Sequence, residues 1–206
     1  MMATTHALVG LALAAVSVVS GDVSPLALWG GFLGGAFPDL DLYAGHRKTL
    51  HFPVYYGVAA VAAFVALALP LAAVPGPWLA ALAFFLLAAA VHSAMDALGG
   101  GLELRPWEGT SERAVYSHFH RRWIRPRRWI RYDGAPEDLA LALVAAGPAW
   151  YFAEGLLQQA VVAVVVVSAG YVLVRKRMVH LAEALVARLP DPVLQWVPER
   201  FVADLH

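Results

Sequence analysis

The chain has 206 residues, no cysteine, a formal charge of zero and 60% hydrophobic residues, with a mean hydropathy of +0.63. That length suits one domain, and the hydropathy is high for a protein that lives in water. The balanced charge gives no global reason to expect nucleic acid as a partner, and the missing cysteines exclude disulfides and thiolate metal sites.

Apolar runs at 54–74, 78–91 and 156–174 approach the roughly 20 residues that cross a bilayer. The expected fold is therefore all-α: a polytopic integral membrane bundle with six spans, at about 4–20, 25–37, 53–74, 77–98, 136–153 and 156–174. Residues 1–20 lack a basic leader and are followed by further apolar runs, so they read as an uncleaved first helix. Gly21-Asp22-Val23-Ser24-Pro25 should break the first span from the second. Pro25, Pro53, Pro77 and Pro136 suit first helical positions, where a missing N–H costs nothing. Glu137 and Asp138 suit the positive end of the fifth helix. Pro70 and Pro148 lie within apolar runs and should kink them. In the short second helix, Gly30, Gly31, Gly34 and Gly35 form two overlapping G-x-x-x-G patterns, which permit close helix packing.

With six spans, the N-terminus, the 38–52 loop, the 99–135 loop and the tail share one side. That side carries all fifteen Lys and Arg, and the other shows Asp22 and Glu154. By the positive-inside rule the basic side is cytoplasmic. Residues 1–174 then form the membrane domain, and 175–206 form a cytoplasmic tail. Met178, Leu181, Ala182, Leu185, Val186 and Leu189 share one face and predict a separate helix lying along the interface.

Four polar clusters interrupt the apolar sequence: Thr5-His6, Pro38-Asp39-Leu40-Asp41, His46-Arg47-Lys48-Thr49-Leu50-His51, and His92-Ser93-Ala94-Met95-Asp96. Singly, most have ordinary readings. His6 suits a cap, Asp39 and Asp41 a turn, and His46 and His51 an interfacial loop. His92 and Asp96 are four apart, hence on one helical face, and in a membrane helix such a pair needs a partner. The topology brings all four clusters to one end of the bundle.

His6, Asp39, Asp41, His46, His51, His92 and Asp96 are thus candidate ligands of one or two divalent ions, zinc first, with manganese or iron as alternatives. Asp39, Asp41, His92 and Asp96 are the candidate catalytic residues. So many ligands fit a two-metal site, or one ion with outer carboxylates orienting the imidazoles. A metal-activated water would attack an ester. The 99–135 loop interleaves Arg with Trp and Tyr. It reads either as a lipid anchor, with Arg on anionic headgroups, or as a lid that holds phosphate. Arg47 and, within that loop, Arg113, Tyr116 and His118 are the candidate substrate-binding residues, with Glu112 and His120 nearby.

The ordered set Thr5-His6, Pro38-Asp39-Leu40-Asp41, His46-Arg47 with His51, and His92 with Asp96 resembles the YdjM-like family of membrane-bound metal-dependent hydrolases, also described as LexA-binding and inner-membrane-associated. One departure is Leu50 directly before His51, where the family carries Thr. The resemblance covers about the first 100 residues. It implies metal-dependent hydrolysis, and a weaker likeness to zinc-dependent phospholipases C points to a phosphoester. The expected partners are membrane lipids and an amphipathic, lipid-like substrate. A metal transporter, or a scaffold with a structural metal, would use the same ligand types.

Overall fold

The structure, a computed structural model, describes residues 1–16, 24–69 and 75–190. The expected break at Gly21-Asp22-Val23, the kink at Pro70 and the tail cation Arg200 lie outside them. The described residues form six α-helices: α1 (Ala3–Val16), α2 (Pro25–Ala36), α3 (Pro53–Ala68), α4 (Gly76–Asp96), α5 (Pro136–Phe152) and α6 (Gly155–Val186). The all-α expectation holds. Pro25 and Pro53 open their helices, Pro136 opens α5, and the Ser24 side chain caps α2 by accepting from the Ala27 N–H.

Two helices, α4 and the 32-residue α6, are long and apolar enough to cross a membrane. Six were expected. Two of the others, α1 and α3, are shorter apolar helices whose described ends adjoin undescribed residues. Large apolar side chains nevertheless point outward along α3, α5 and α6, among them Val58, Val61, Val144, Tyr151, Val166 and Leu173.

Helix α2 sits between α1 and α4, α3 packs on the outside of α4, and α5 joins α1 to α6. The glycine patterns explain this order. Gly31 and Gly35 face α1, where a Cβ on Gly35 would stand 2.9 Å from Ala7 Cα. Gly30 and Gly34 face α4, where a Cβ on Gly34 would stand 2.6 Å from Phe85 Cα. One short helix thus meets two neighbours backbone to backbone. The core around this contact contains Leu8, Leu11, Leu28, Phe84, Ala145 and Val161.

Two expectations need correction. The tail segment 178–189 is not a separate interfacial helix: α6 runs unbroken from Gly155 to Val186. Arg175-Lys176-Arg177 are good helix formers, and nothing in the sequence there stops the helix. The boundary drawn at 174 therefore falls inside α6. The 99–135 loop also contains a small hairpin, β1 (Val115–Ser117) with β2 (Arg122–Ile124), in the register Val115↔Ile124, Tyr116↔Trp123 and Ser117↔Arg122. Its strands are three residues each, too short to leave a periodic signal.

Gly34→Ala should lower stability by about 1–3 kcal/mol, because its methyl meets backbone that cannot yield cheaply. Gly57→Ala, at an open helical position, should raise stability by up to about 1 kcal/mol. Thermal unfolding midpoints check both, and a Gly34→Ala midpoint at or above wild type would refute the packing argument.

Candidate metal centre

Three local features present the cluster. After α2 the chain tightens into a 3-10 helix, Phe37–Tyr43, which carries Asp39 and Asp41. A turn through Arg47, whose φ is 58°, leads to His51 just before α3. His92 and Asp96 occupy the last turns of α4.

Asp39, His51, His92 and Asp96 each direct one ligand atom into a common space, all four atoms lying within 4.8 Å of one another. His51 Nε2 is 3.1 Å from His92 Nε2 and 3.1 Å from Asp96 Oδ2. His92 Nε2 is 3.5 Å from both Asp39 Oδ1 and Asp96 Oδ2. His51 Nε2 is 4.0 Å from Asp39 Oδ1. Ligands at zinc distances of about 2.0–2.2 Å in a tetrahedron stand roughly 3.3–3.6 Å apart. The observed edges bracket that range.

The second nitrogen of each imidazole fixes what the first can do. His51 Nδ1 donates to Asp41 Oδ2 at 3.0 Å. His92 Nδ1 donates to the Gly35 carbonyl at 2.6 Å. Both acceptors lack protons, so both Nδ1 atoms carry hydrogen and both Nε2 atoms face the shared space, each able to give a lone pair to a cation or, in the ion-free protein, a proton to Asp39 or Asp96. Two such lone pairs 3.1 Å apart repel unless a proton or a cation lies between them. With two carboxylates beside them, this donor set can hold a metal ion.

The remaining expected ligands stand behind this group. Asp41 does not reach the shared space. Its oxygens are taken by the N–H groups of Arg47, Lys48 and Leu50 and by His46 Nδ1 at 3.1 Å, as well as by His51. It therefore orients His51, as outer carboxylates do for metal-bound imidazoles. His46 touches Asp41, not the four converging atoms. His6 stacks on His92 with ring centroids 3.7 Å apart, and its Nε2 donates to Asp96 Oδ1 at 3.3 Å. Asp96 Oδ1 also meets Arg47 Nη2 at 3.6 Å and the Met1 amino group at 3.3 Å. One Asp96 oxygen thus faces the cluster and the other faces cations.

Arg47 was expected at a substrate. It is 6% exposed and turned inward, donating to the Gly100 carbonyl at 2.8 Å as well as approaching Asp96. Arg113, Tyr116 and His118 are not brought to the cluster. Arg113 lies over Trp123, Tyr116 sits under Lys48, and His118 stacks on Phe52 while donating to the Lys48 carbonyl. With the Tyr116 N–H donating to the Arg47 carbonyl, they brace the 46–52 loop that holds His51. Glu112 pairs with Arg125, and His120 with Ser117.

Sequence reasoning missed three partners. The Gly35 carbonyl carries no side-chain signal. Asp138 was read as a helix-end charge, yet it is fully buried, takes the Thr5 hydroxyl at 2.7 Å and so ties α1 to α5. Glu103 lines a cavity of about 490 Å³ that also borders Asp39, His46 and Arg47 on one side and Tyr171 and Arg175 on α6. No family model, curated protein or solved structure matches this chain. The likeness to YdjM-like hydrolases therefore rests on the motif residues alone.

The two carboxylates of the 3-10 helix set an acid limit. Burial pushes the Asp41 carboxyl up, but hydrogen bonds from His46, His51 and the Leu50 N–H outweigh this and hold it well below the ordinary carboxylate range. Asp39 is likewise brought down, to about 2, by its hydrogen bond with His92 against the effect of burial. A carboxyl depressed by folding stabilises above its unfolded pKa, near about 4, and loses that contribution as pH falls toward the folded value. The ion-free protein should accordingly lose stability as pH drops from about 4 to 2. Asp41→Asn should start about 1–3 kcal/mol lower at neutral pH and lose less across that window. Denaturant melts at pH 7, 4 and 3 check this, and parallel losses in both proteins would count against it.

Proposed function

We propose that this chain is an integral-membrane, metal-dependent hydrolase acting on an ester, most simply a phosphoester, of an amphipathic substrate. The observation that carries the reading is the approach of His51 Nε2 and His92 Nε2 to 3.1 Å, flanked by Asp39 and Asp96 and bordered by a cavity. The motif resemblance to YdjM-like hydrolases supports the same reading.

In this proposal Asp39, His51, His92 and Asp96 hold one divalent ion, zinc before manganese or iron, because four atoms converge and Asp41 is occupied behind His51. Such an ion, when bound, supplies a Lewis acid and lowers the pKa of water. Asp41 and the Gly35 carbonyl keep the two imidazoles turned inward. His6 and Arg47 hold Asp96 in place. His46 borders the cavity, and its Nδ1 is engaged with Asp41. Its Nε2 is thereby left to take up or release a proton beside a bound ester.

All six helices are read as embedded in the bilayer. Outward apolar side chains on α3, α5 and α6 suit lipid better than water. The ends of α2, α4 and α6 and the starts of α1, α3 and α5 then share one side with every described Lys and Arg, which makes that side cytoplasmic. A transporter would place its ligands near the bilayer midplane among broken helices. Here they come from one end of the bundle.

Metal analysis of purified protein should find about one ion per chain in wild type and a large loss in Asp39→Ala and His92→Ala. Hydrolysis of bis(p-nitrophenyl) phosphate should need the ion and vanish in those variants. Asp41→Asn should lower metal affinity or rate by about 10–100-fold. Equal metal content in wild type, Asp39→Ala and His92→Ala would sink the assignment.

A further inference from the structure

The cavity beside the metal cluster reaches the surface of the protein, and the place where it does so bears on what it admits. Its lining includes Asp39 and His46 at the cluster and Arg175, Tyr171 and Val167 on α6. Those three α6 residues stand four apart and share one helical face. Along that face the wall changes from charged to apolar over about 12 Å, at 1.5 Å of rise per residue. Arg175 and Tyr171 are both engaged with Asp133. Val167 is 59% exposed. Leu42, on the 3-10 helix, lines the same cavity and is exposed as well. Two exposed apolar side chains from different elements thus mark an opening. Ala3 and Thr4, in the first turn of α1, also line the cavity. The Ser168 hydroxyl donates to Thr4 Oγ1 at 2.8 Å, which fastens α1 to α6 beside Val167.

Depth decides what fills this opening. Val167 stands among the outward side chains of Val162, Val166 and Leu173. The cations Arg175, Lys176 and Arg177 follow on the same helix. With the membrane placement proposed above, these cations mark the cytoplasmic boundary, and Val167 lies about 12 Å along the helix from it. An exposed residue at that depth meets hydrocarbon rather than water. The cavity, about 490 Å³, has the size of a small-molecule site. It can take a head group and the start of one chain, with the rest of the lipid left in the bilayer. We propose that the substrate is a membrane lipid with a phosphoester head group, drawn sideways from the cytoplasmic leaflet through this opening. Its chain lies along Val167 and Leu42, and its head group reaches Asp39 and His46. Both of those polar side chains are part exposed, so no buried atom has to be uncovered. The inference rests on the hydrolase reading for the bond that is broken and on the membrane placement for the direction of entry.

The test uses the full chain with zinc in phosphatidylcholine nanodiscs. The probe is hexadecyl methyl phosphate carrying a photoreactive diazirine on its chain near the phosphate. Hexadecanol with the same diazirine supplies the chain without the ester. Peptide mapping by mass spectrometry locates the adducts. Both probes should label outward α6 positions such as Leu173. The phosphodiester should also label the first turn of α1, at least about tenfold above the alcohol, since a hydrogen bond to a charged group is worth that much. Val167→Trp fills the opening from α6, and Leu42→Trp narrows it from the 3-10 helix. Each should remove most of the excess on α1 and leave labelling at Leu173 unchanged. Thermal midpoints identify a variant that fails to fold, in which case the other decides. Equal labelling of α1 by the two probes, or an excess that survives in either folded variant, overturns the inference. Hydrolysis of bis(p-nitrophenyl) phosphate by the same samples separates the two readings. Hydrolysis without excess labelling overturns lipid entry and leaves the hydrolase. Excess labelling that the variants remove, without hydrolysis, keeps the lipid site and overturns the hydrolase.

Discussion

The close approach of α2 to α1 and α4 sets the position of the cluster. Gly31 and Gly35 bring α2 against α1, and Gly30 and Gly34 bring it against α4. Because α2 lacks side chains on these faces, the Gly35 carbonyl comes within 2.6 Å of His92 Nδ1. The same contact sets Gly35 beside the backbone of His6. A methyl group on any of these glycines would separate the helices by an ångström or so on the scale of side-chain packing. A metal-type donor set tolerates far less. Packing and site geometry are therefore one constraint, imposed by residues with no side chain to contribute.

Charge burial gives the second constraint. His51, His92 and Asp96 are 0–1% exposed, and isolated charges at such depth are expensive. The structure distributes compensation instead of leaving it to one partner. Asp41 collects backbone N–H groups and two imidazoles. Asp96 meets Arg47, His6 and the Met1 amino group through one oxygen. Asp138 collects Thr5 and the N–H groups of Met2 and Gly134. Asp41 draws on the turn that follows it, whereas Asp96 and Asp138 draw on residues far away in sequence, so the network ties the N-terminus, the 46–52 loop, α4 and α5 together.

How legible this was depends on range. Helix positions followed from apolar runs and proline placement, because those signals are local. Convergence of Asp39, His51, His92 and Asp96 was readable because an antiparallel run of helices puts alternate ends together whatever the packing details. The division of labour between Asp39 and Asp41 was not. Two carboxylates separated by one residue look alike in sequence, and only the tight 3-10 geometry and the turn at Arg47 decide which faces the cluster. Arg113, Tyr116 and His118 misled for a similar reason. A loop rich in Arg and aromatics states its composition but not which way its hairpin faces, and here it faces the 46–52 loop. The unbroken length of α6 was misread because amphipathic spacing after Arg177 looks the same whether or not the helix has turned.

Access to the cluster is uneven, and this bears on what kind of centre it is. Three of the four converging residues are closed off by packing: His51 by the braced loop, His92 by Gly35 and His6, and Asp96 by Arg47. The Asp39 side chain is 18% exposed, and Asp39 borders the cavity. A structural metal clip is enclosed on every side by its ligands, whereas a catalytic centre keeps one side open. The open side here is the one that Asp39 guards, and it faces a space that also holds His46, Arg47 and Glu103. Apolar Leu42, exposed on the same 3-10 helix, also lines that space. Under the proposed function, an amphipathic ester would set its apolar part against Leu42 and its polar part toward Asp39 and His46, which line the same space.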